Sequence, residues 1–174
     1  MSGVDWIDPL ALAVLIFVTL QRLAELVYAR RNEARLHARG AQEHAPGHYP
    51  AIVLLHAAWL VGLWVLAIGT APDTIWLVIF AVLQALRIWV LLTLGERWTT
   101  RIIVLPGEPL VAKGPYRIFS HPNYMVVIGE IFVLPMAFGL FFYAAVFSLL
   151  NGLILFIRIR AENKALELAD GAPS

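Results

Sequence analysis

Residues 124–157 read YMVVIGEIFVLPMAFGLFFYAAVFSLLNGLILFI, and Glu130 is the single charged side chain among them. As one helix rising about 1.5 Å per residue, this run would be on the order of 50 Å long. A bilayer core of about 30 Å needs only about 20 residues to cross it. Folded once, the run supplies two crossings, and Pro135 and Gly139 sit where a tight hairpin would fold it. Working outward, Pro9–Tyr28, Ala51–Ile68 and Ile75–Leu94 are three further apolar runs, the last two separated by the turn residues Thr70, Ala71, Pro72 and Asp73. The expected fold is therefore all-α: a polytopic integral membrane protein of about five transmembrane helices, the last two forming a helical hairpin.

Composition agrees. The chain of 174 residues is 60% apolar and 14% charged, where soluble globular chains average about 45–50% and about 25%. A net charge of +1 gives no sign of a nucleic-acid partner, and the absence of cysteine excludes disulfides, thiolate catalysis and cysteine metal sites. Asp5 and Asp8, rather than a basic segment, precede the first apolar run, so that run is expected to be a retained span and not a cleaved signal.

The basic residues orient the bundle. Arg30, Arg31, Arg35 and Arg39 follow the first span; Arg97, Arg101, Lys113 and Arg117 follow the third; Arg158, Arg160 and Lys164 follow the fifth. Five crossings place all three groups on one side, which the positive-inside bias makes cytoplasmic, with the N-terminus outside. Arg30 to Gly40 is expected to continue the first helix into the cytosol and stop at the glycine. Ala41–Pro50 reads as irregular, Ile102–Leu105 as a short strand, and Ala169–Ser174 as a frayed end. The tryptophans mostly lie near span ends and read as interface anchors.

The polar residues with chemical potential gather at that cytoplasmic side. Gly114–Tyr124 reads GPYRIFSHPNY, wedged between two spans. Pro122 fits the start of a helix whose free N–H groups favour an anion, although His121 and Asn123 also suit plain helix capping. Arg158 and Glu162, one turn apart, share a helix face. Arg22, Glu25, Arg87 and Glu130 lie inside spans, where unpaired charge costs several kcal/mol; an interhelical polar clamp and a substrate role are both open to them. His37, Glu43, His44 and His48 are not spaced for a metal, because Pro46 and Gly47 interrupt them, and none is expected.

The GPYRIFSHPNY segment together with Arg158 and Glu162 resembles the signature of membrane methyltransferases of the isoprenylcysteine carboxyl methyltransferase and phospholipid N-methyltransferase type. The resemblance is strongest over residues 97–166 of what reads as a single membrane-embedded domain, 1–174. It implies S-adenosylmethionine as methyl donor and a lipid-like acceptor. By position, Leu110, Val111, Tyr116, His121, Pro122, Asn123 and Tyr124 would line the donor pocket, Glu162 would bind the donor's polar groups, and Arg158 would face the acceptor. His121 is a lesser candidate for a base.

Ser120 stands where these families usually carry arginine before the His-Pro, and Glu108 and Asn163 stand where the eukaryotic isoprenylcysteine enzymes carry a histidine and the second acid of a Glu-Glu pair. The N-terminal half, with Arg22-Leu-Ala-Glu25, Arg31-Asn-Glu33, His48-Tyr-Pro50 and His56, resembles a bacterial subgroup linked to type III polyketide synthases. That subgroup O-methylates alkylpyrones and related phenolic lipids, which implies a bacterial inner-membrane protein whose site faces the cytoplasm. The His-Pro-Asn-Tyr element also occurs in NAD(P)H-dependent sterol reductases. There Gly-Glu follows closely, whereas Val126–Ile128 intervene here before Gly129-Glu130. A reductase and a non-catalytic membrane scaffold therefore stand as alternatives.

Overall fold

The structure, a computed structural model, describes residues 6–170, with side chains through Glu167. Asp5 and residues 171–174 of the expected frayed end lie outside the described residues. Five helices are present: α1 (Pro9–Ala38), α2 (Tyr49–Ala67), α3 (Thr74–Leu94), α4 (Pro122–Ala137) and α5 (Phe141–Asp170). α1, α2, α3 and α5 are long and apolar enough to cross a membrane; α4 is apolar but has only 16 residues. Leu54, Val65, Leu92 and Phe142 are among many large apolar side chains exposed on the outside of the bundle. An exterior of this kind is stable facing lipid and costly facing water. This is an integral membrane protein.

Local sequence sets the helix ends. Asp8 and Asp73 cap α1 and α3, accepting from Ala11 N–H (2.8 Å) and from Ile75 N–H (2.8 Å). At this end of the bundle Asp8 N–H donates to Ile68 O (3.0 Å) and Asp73 N–H to Ala137 O (2.7 Å), so four helix ends meet. The chain reverses between α4 and α5 over Phe138–Leu140, with Gly139 at φ +70°. The turn falls just after Pro135, which stays inside the last turn of α4 rather than forming the bend itself.

At the opposite end α1 does run on to Ala38, and Gly40 follows at φ +90°. Here one short strand pair is added to the otherwise helical chain. Gln42–His44 (β1) pairs antiparallel with Ile102–Val104 (β2), in the register Glu43↔Ile103, and Pro46–His48 forms a 3₁₀ turn. The segment expected to be irregular is thus half of a small ribbon. Arg101 ties it down, with Nη1 2.7 Å from Glu43 and Nε 3.8 Å from Glu33. The fully buried Asn32 donates to Gly95 O (3.1 Å) and Trp98 O (2.8 Å), anchoring the segment after α3 to α1.

Inside the bundle, Leu15, Val18, Trp59, Leu63, Phe80 and Leu134 form the main apolar core. Trp59 and Trp98 are therefore not interface anchors: Trp59 is 1% exposed, and Trp98 stacks on Tyr28. α2 meets α5 closely at Gly62, where a Cβ would collide with the Tyr143 ring, whose hydroxyl donates to Trp59 O (2.6 Å).

Four charges and an amide occupy the bundle's centre. Glu130 on α4 has no exposed surface. Its carboxylate accepts from Arg22 of α1 (2.5 Å), from Gln84 of α3 (2.8 Å), and from both Nε (2.8 Å) and Nη2 of Arg87 of α3. Glu25 adds a second carboxylate, 2.8 Å from Arg22 and 3.3 Å from Arg87. Two acids face two arginines, so the cluster is neutral and three helices are clamped across it. Deleting one partner of a buried pair strands the others at a cost of about 3–5 kcal/mol. Glu130→Ala is expected to lower the thermal midpoint of the protein in detergent sharply, and Glu130→Gln less so. An unchanged midpoint for Glu130→Ala would show that the clamp does not hold the bundle.

Candidate functional site

Between the ribbon, the start of α4 and the last turns of α5 lies a cavity of about 460 Å³. Its walls include Leu110, Val111, Tyr116, His121, Asn123, Tyr124, Arg158 and Glu162, so eight of the nine residues expected in the site converge there. The exception is Pro122, buried at the first position of α4. His121 makes no capping hydrogen bond; its ring instead stacks on that of Tyr124, centroids 5.3 Å apart. Gly114, at φ +57°, turns the chain against Thr93 so that Tyr116 reaches the cavity, and a Cβ there would lie 2.5 Å from the Thr93 hydroxyl. Burial, and then the nearby Glu162 charge, pushes the Tyr116 hydroxyl well above its ordinary pKa. It stays protonated at physiological pH, a donor rather than a base.

Tyr124 organises the far wall. Its hydroxyl accepts from Arg158 Nε (2.8 Å) and donates to Glu162, joining the two α5 residues through α4. Arg158 is 7% exposed, and among the described residues no carboxylate lies within salt-bridge distance of it. This contrasts with Arg22 and Arg87, whose charges are matched.

A second cavity, of about 320 Å³, runs from the same wall into the bundle. Ile52, Val53, Leu60 and Val127 make it largely apolar, and it ends near the Arg22–Glu25–Arg87 cluster. Trp98, Thr99, Asn123, Tyr124 and Arg158 line both cavities. Trp98 closes the junction from the side, its indole N–H 3.4 Å from Asn123 Oδ1. Sequence reasoning did not single out Trp98, Thr99 or the membrane-side cavity.

Residues 75–168 match the sequence pattern of the isoprenylcysteine carboxyl methyltransferase (ICMT) family. The chain belongs to this family. Its members are membrane methyltransferases that use S-adenosylmethionine, and membership favours neither the reductase nor the scaffold alternative. The chain is also similar to the uncharacterized protein YpbQ of Bacillus subtilis, 42% identical over 163 residues, covering 91% of this chain and 95% of that one. A more distant uncharacterized protein of Haemophilus influenzae is 27% identical over 158 residues, covering 83% and 88%. No solved structure matches.

The donor set of the cavity beside the ribbon fits S-adenosylmethionine. Aromatic faces suit a sulfonium, and the Glu162 carboxylate suits amino or ribose hydroxyl groups.

Tyr124→Phe removes the hydroxyl that serves both Arg158 and Glu162. Lost hydrogen bonds to charged groups are worth about 1.5–3 kcal/mol, so the variant is expected to unfold at lower temperature in detergent. A midpoint equal to that of the wild type would show that the bridge contributes nothing to the site's order.

Proposed function

We propose that this protein transfers a methyl group from S-adenosylmethionine to an anionic oxygen of an amphipathic lipid. The donor would lie in the cytoplasmic cavity and the lipid tail in the membrane-side cavity. One observation carries the proposal: Arg158, a buried cation without a counter-ion among the described residues, stands on the wall that the two cavities share. A cation is expensive to bury alone, and an anionic acceptor group would neutralise it where the two cavities meet.

S-adenosylmethionine, when bound, supplies a methyl carbon on a sulfonium, which leaves as a neutral thioether once the acceptor oxygen has taken the carbon. The residues of the chain then need to bind and align. Glu162, Tyr116, His121 and Tyr124 hold the donor side, with Leu110, Val111, Pro122 and Asn123 completing it. Arg158 grips the acceptor through a planar fork that can engage two oxygens. Tyr124, bonded to both Arg158 and Glu162, fixes one grip relative to the other, the alignment that an in-line displacement requires. A carboxylate or an acidic enol is already ionised near neutral pH and needs no base. His121 would serve as one only for a weakly acidic phenol. The acceptor chemistry therefore suits an alkylpyrone or an isoprenylcysteine carboxylate.

Residues 1–174 act in this account as one membrane-embedded methyltransferase domain of the bacterial inner membrane. The helix ends grouped at the two poles of the bundle support five crossings, with α4 and α5 as a hairpin, the N-terminus outside and both Arg158 and Glu162 facing the cytoplasm.

Purified protein incubated with methyl-labelled S-adenosylmethionine and a membrane lipid extract is expected to label a hydrophobic product. Release of the label as methanol by mild base would identify a methyl ester, and base-stable label an enol or phenol ether. Label on nitrogen would contradict the proposal. Arg158→Lys is expected to lose turnover by about tenfold or more, the worth of one charge-assisted hydrogen bond, while still binding the donor. Near-normal turnover would remove Arg158 from the acceptor site.

A further inference from the structure

The membrane-side cavity is apolar but not uniformly so. Asn151 lies seven residues before Arg158 on α5, so the two share a helix face and are separated by about 10 Å along the helix. Asn151 lines the cavity, is only 1% exposed, and its Nδ2 has no hydrogen-bond partner. The facing helix α2 contributes His56 to the same cavity. His56 Nδ1 lies 2.8 Å from Ile52 O. A carbonyl only accepts, so Nδ1 carries the proton and Nε2 is left as an acceptor. The nearby acids cannot serve these two groups, because Glu25 and Glu130 are already taken up by Arg22, Arg87 and Gln84.

A plain hydrocarbon tail in this cavity would bury a free amide donor and a free imidazole acceptor, both at a penalty. A hydroxyl carries both complements, an acceptor for Asn151 and a donor for His56. We propose that the cavity reads a second polar group on the acceptor: a hydroxyl about 10 Å from the oxygen held at Arg158, or roughly eight bonds along an extended chain. This deepens the function proposed above and rests on Arg158 as the acceptor's anchor. The preferred substrate class becomes an oxygenated long-chain lipid, in place of a plain saturated or polyprenyl tail.

The test compares two carboxylate lipids by calorimetry, using the full chain in detergent saturated with S-adenosylhomocysteine. One is stearate; the other is stearate bearing a single hydroxyl roughly eight carbons beyond the carboxyl carbon. The hydroxylated chain is expected to bind about tenfold more tightly. Asn151→Leu, close in volume, is expected to erase the preference, as is His56→Phe. Equal affinities in the wild type, or tighter binding of stearate, would overturn the inference and indicate that water fills the polar pocket. A preference that survives in both variants would overturn the assignment to Asn151 and His56. Binding of neither lipid, with S-adenosylhomocysteine still bound, would overturn the role of Arg158 and this inference together.

Discussion

A carboxylate with no exposed surface, Glu130, sits where three helices meet, and its hydrogen bonds to Arg22, Gln84 and Arg87 decide how they pack. In lipid, apolar burial gives little drive for helix association, because tails are as apolar as the side chains they would replace. An ion cluster needs partners at fixed distances, so it specifies one arrangement of α1, α3 and α4. The membrane-side cavity ends against this cluster. The clamp thus supports the site from below while leaving the site's own cation free.

The contrast between matched and unmatched charge gives the molecule its functional logic. Arg22 and Arg87 are neutralised within the fold, and the ribbon's Arg101 is neutralised by Glu43, whose hydrogen bond raises its pKa further. Arg158 is buried and, among the described residues, bonds to the Tyr124 hydroxyl and to no carboxylate. Its position joins two environments that suit two kinds of molecule: a polar cavity beside the ribbon, and an apolar one within the bundle. A water-soluble donor and a lipid could each reach this wall without entering the other's medium.

Much of this was legible in the sequence, for physical reasons. The bilayer imposes a length on apolar runs, so the helices could be counted before being seen, and Gly40 marked where α1, which runs to Ala38, would stop. Helical spacing put Arg158 and Glu162 on one face, and the GPYRIFSHPNY segment marked the polar cavity. What stayed hidden depends on contacts across the chain. Gln42–His44 is too short and polar to show a strand pattern, and only its pairing with Ile102–Val104 makes it one. Glu130 was visible as a charge, but its partners Arg22 and Arg87 lie 108 and 43 residues away. Trp59 and Trp98 looked like interface residues because composition cannot distinguish a tryptophan facing lipid from one facing the core. Asn151 went unmarked within an apolar run, although it is the one amide there.

The central claim is that donor and acceptor occupy two cavities joined at Tyr124 and Arg158. An experimental structure with S-adenosylhomocysteine and a long-chain carboxylate bound together tests it most directly. The account predicts the nucleoside in the cavity bounded by Tyr116, His121 and Glu162, the lipid carboxylate on Arg158, and the thioether sulfur facing it across the shared wall. Both ligands in one cavity, or the lipid carboxylate held away from Arg158, would contradict it.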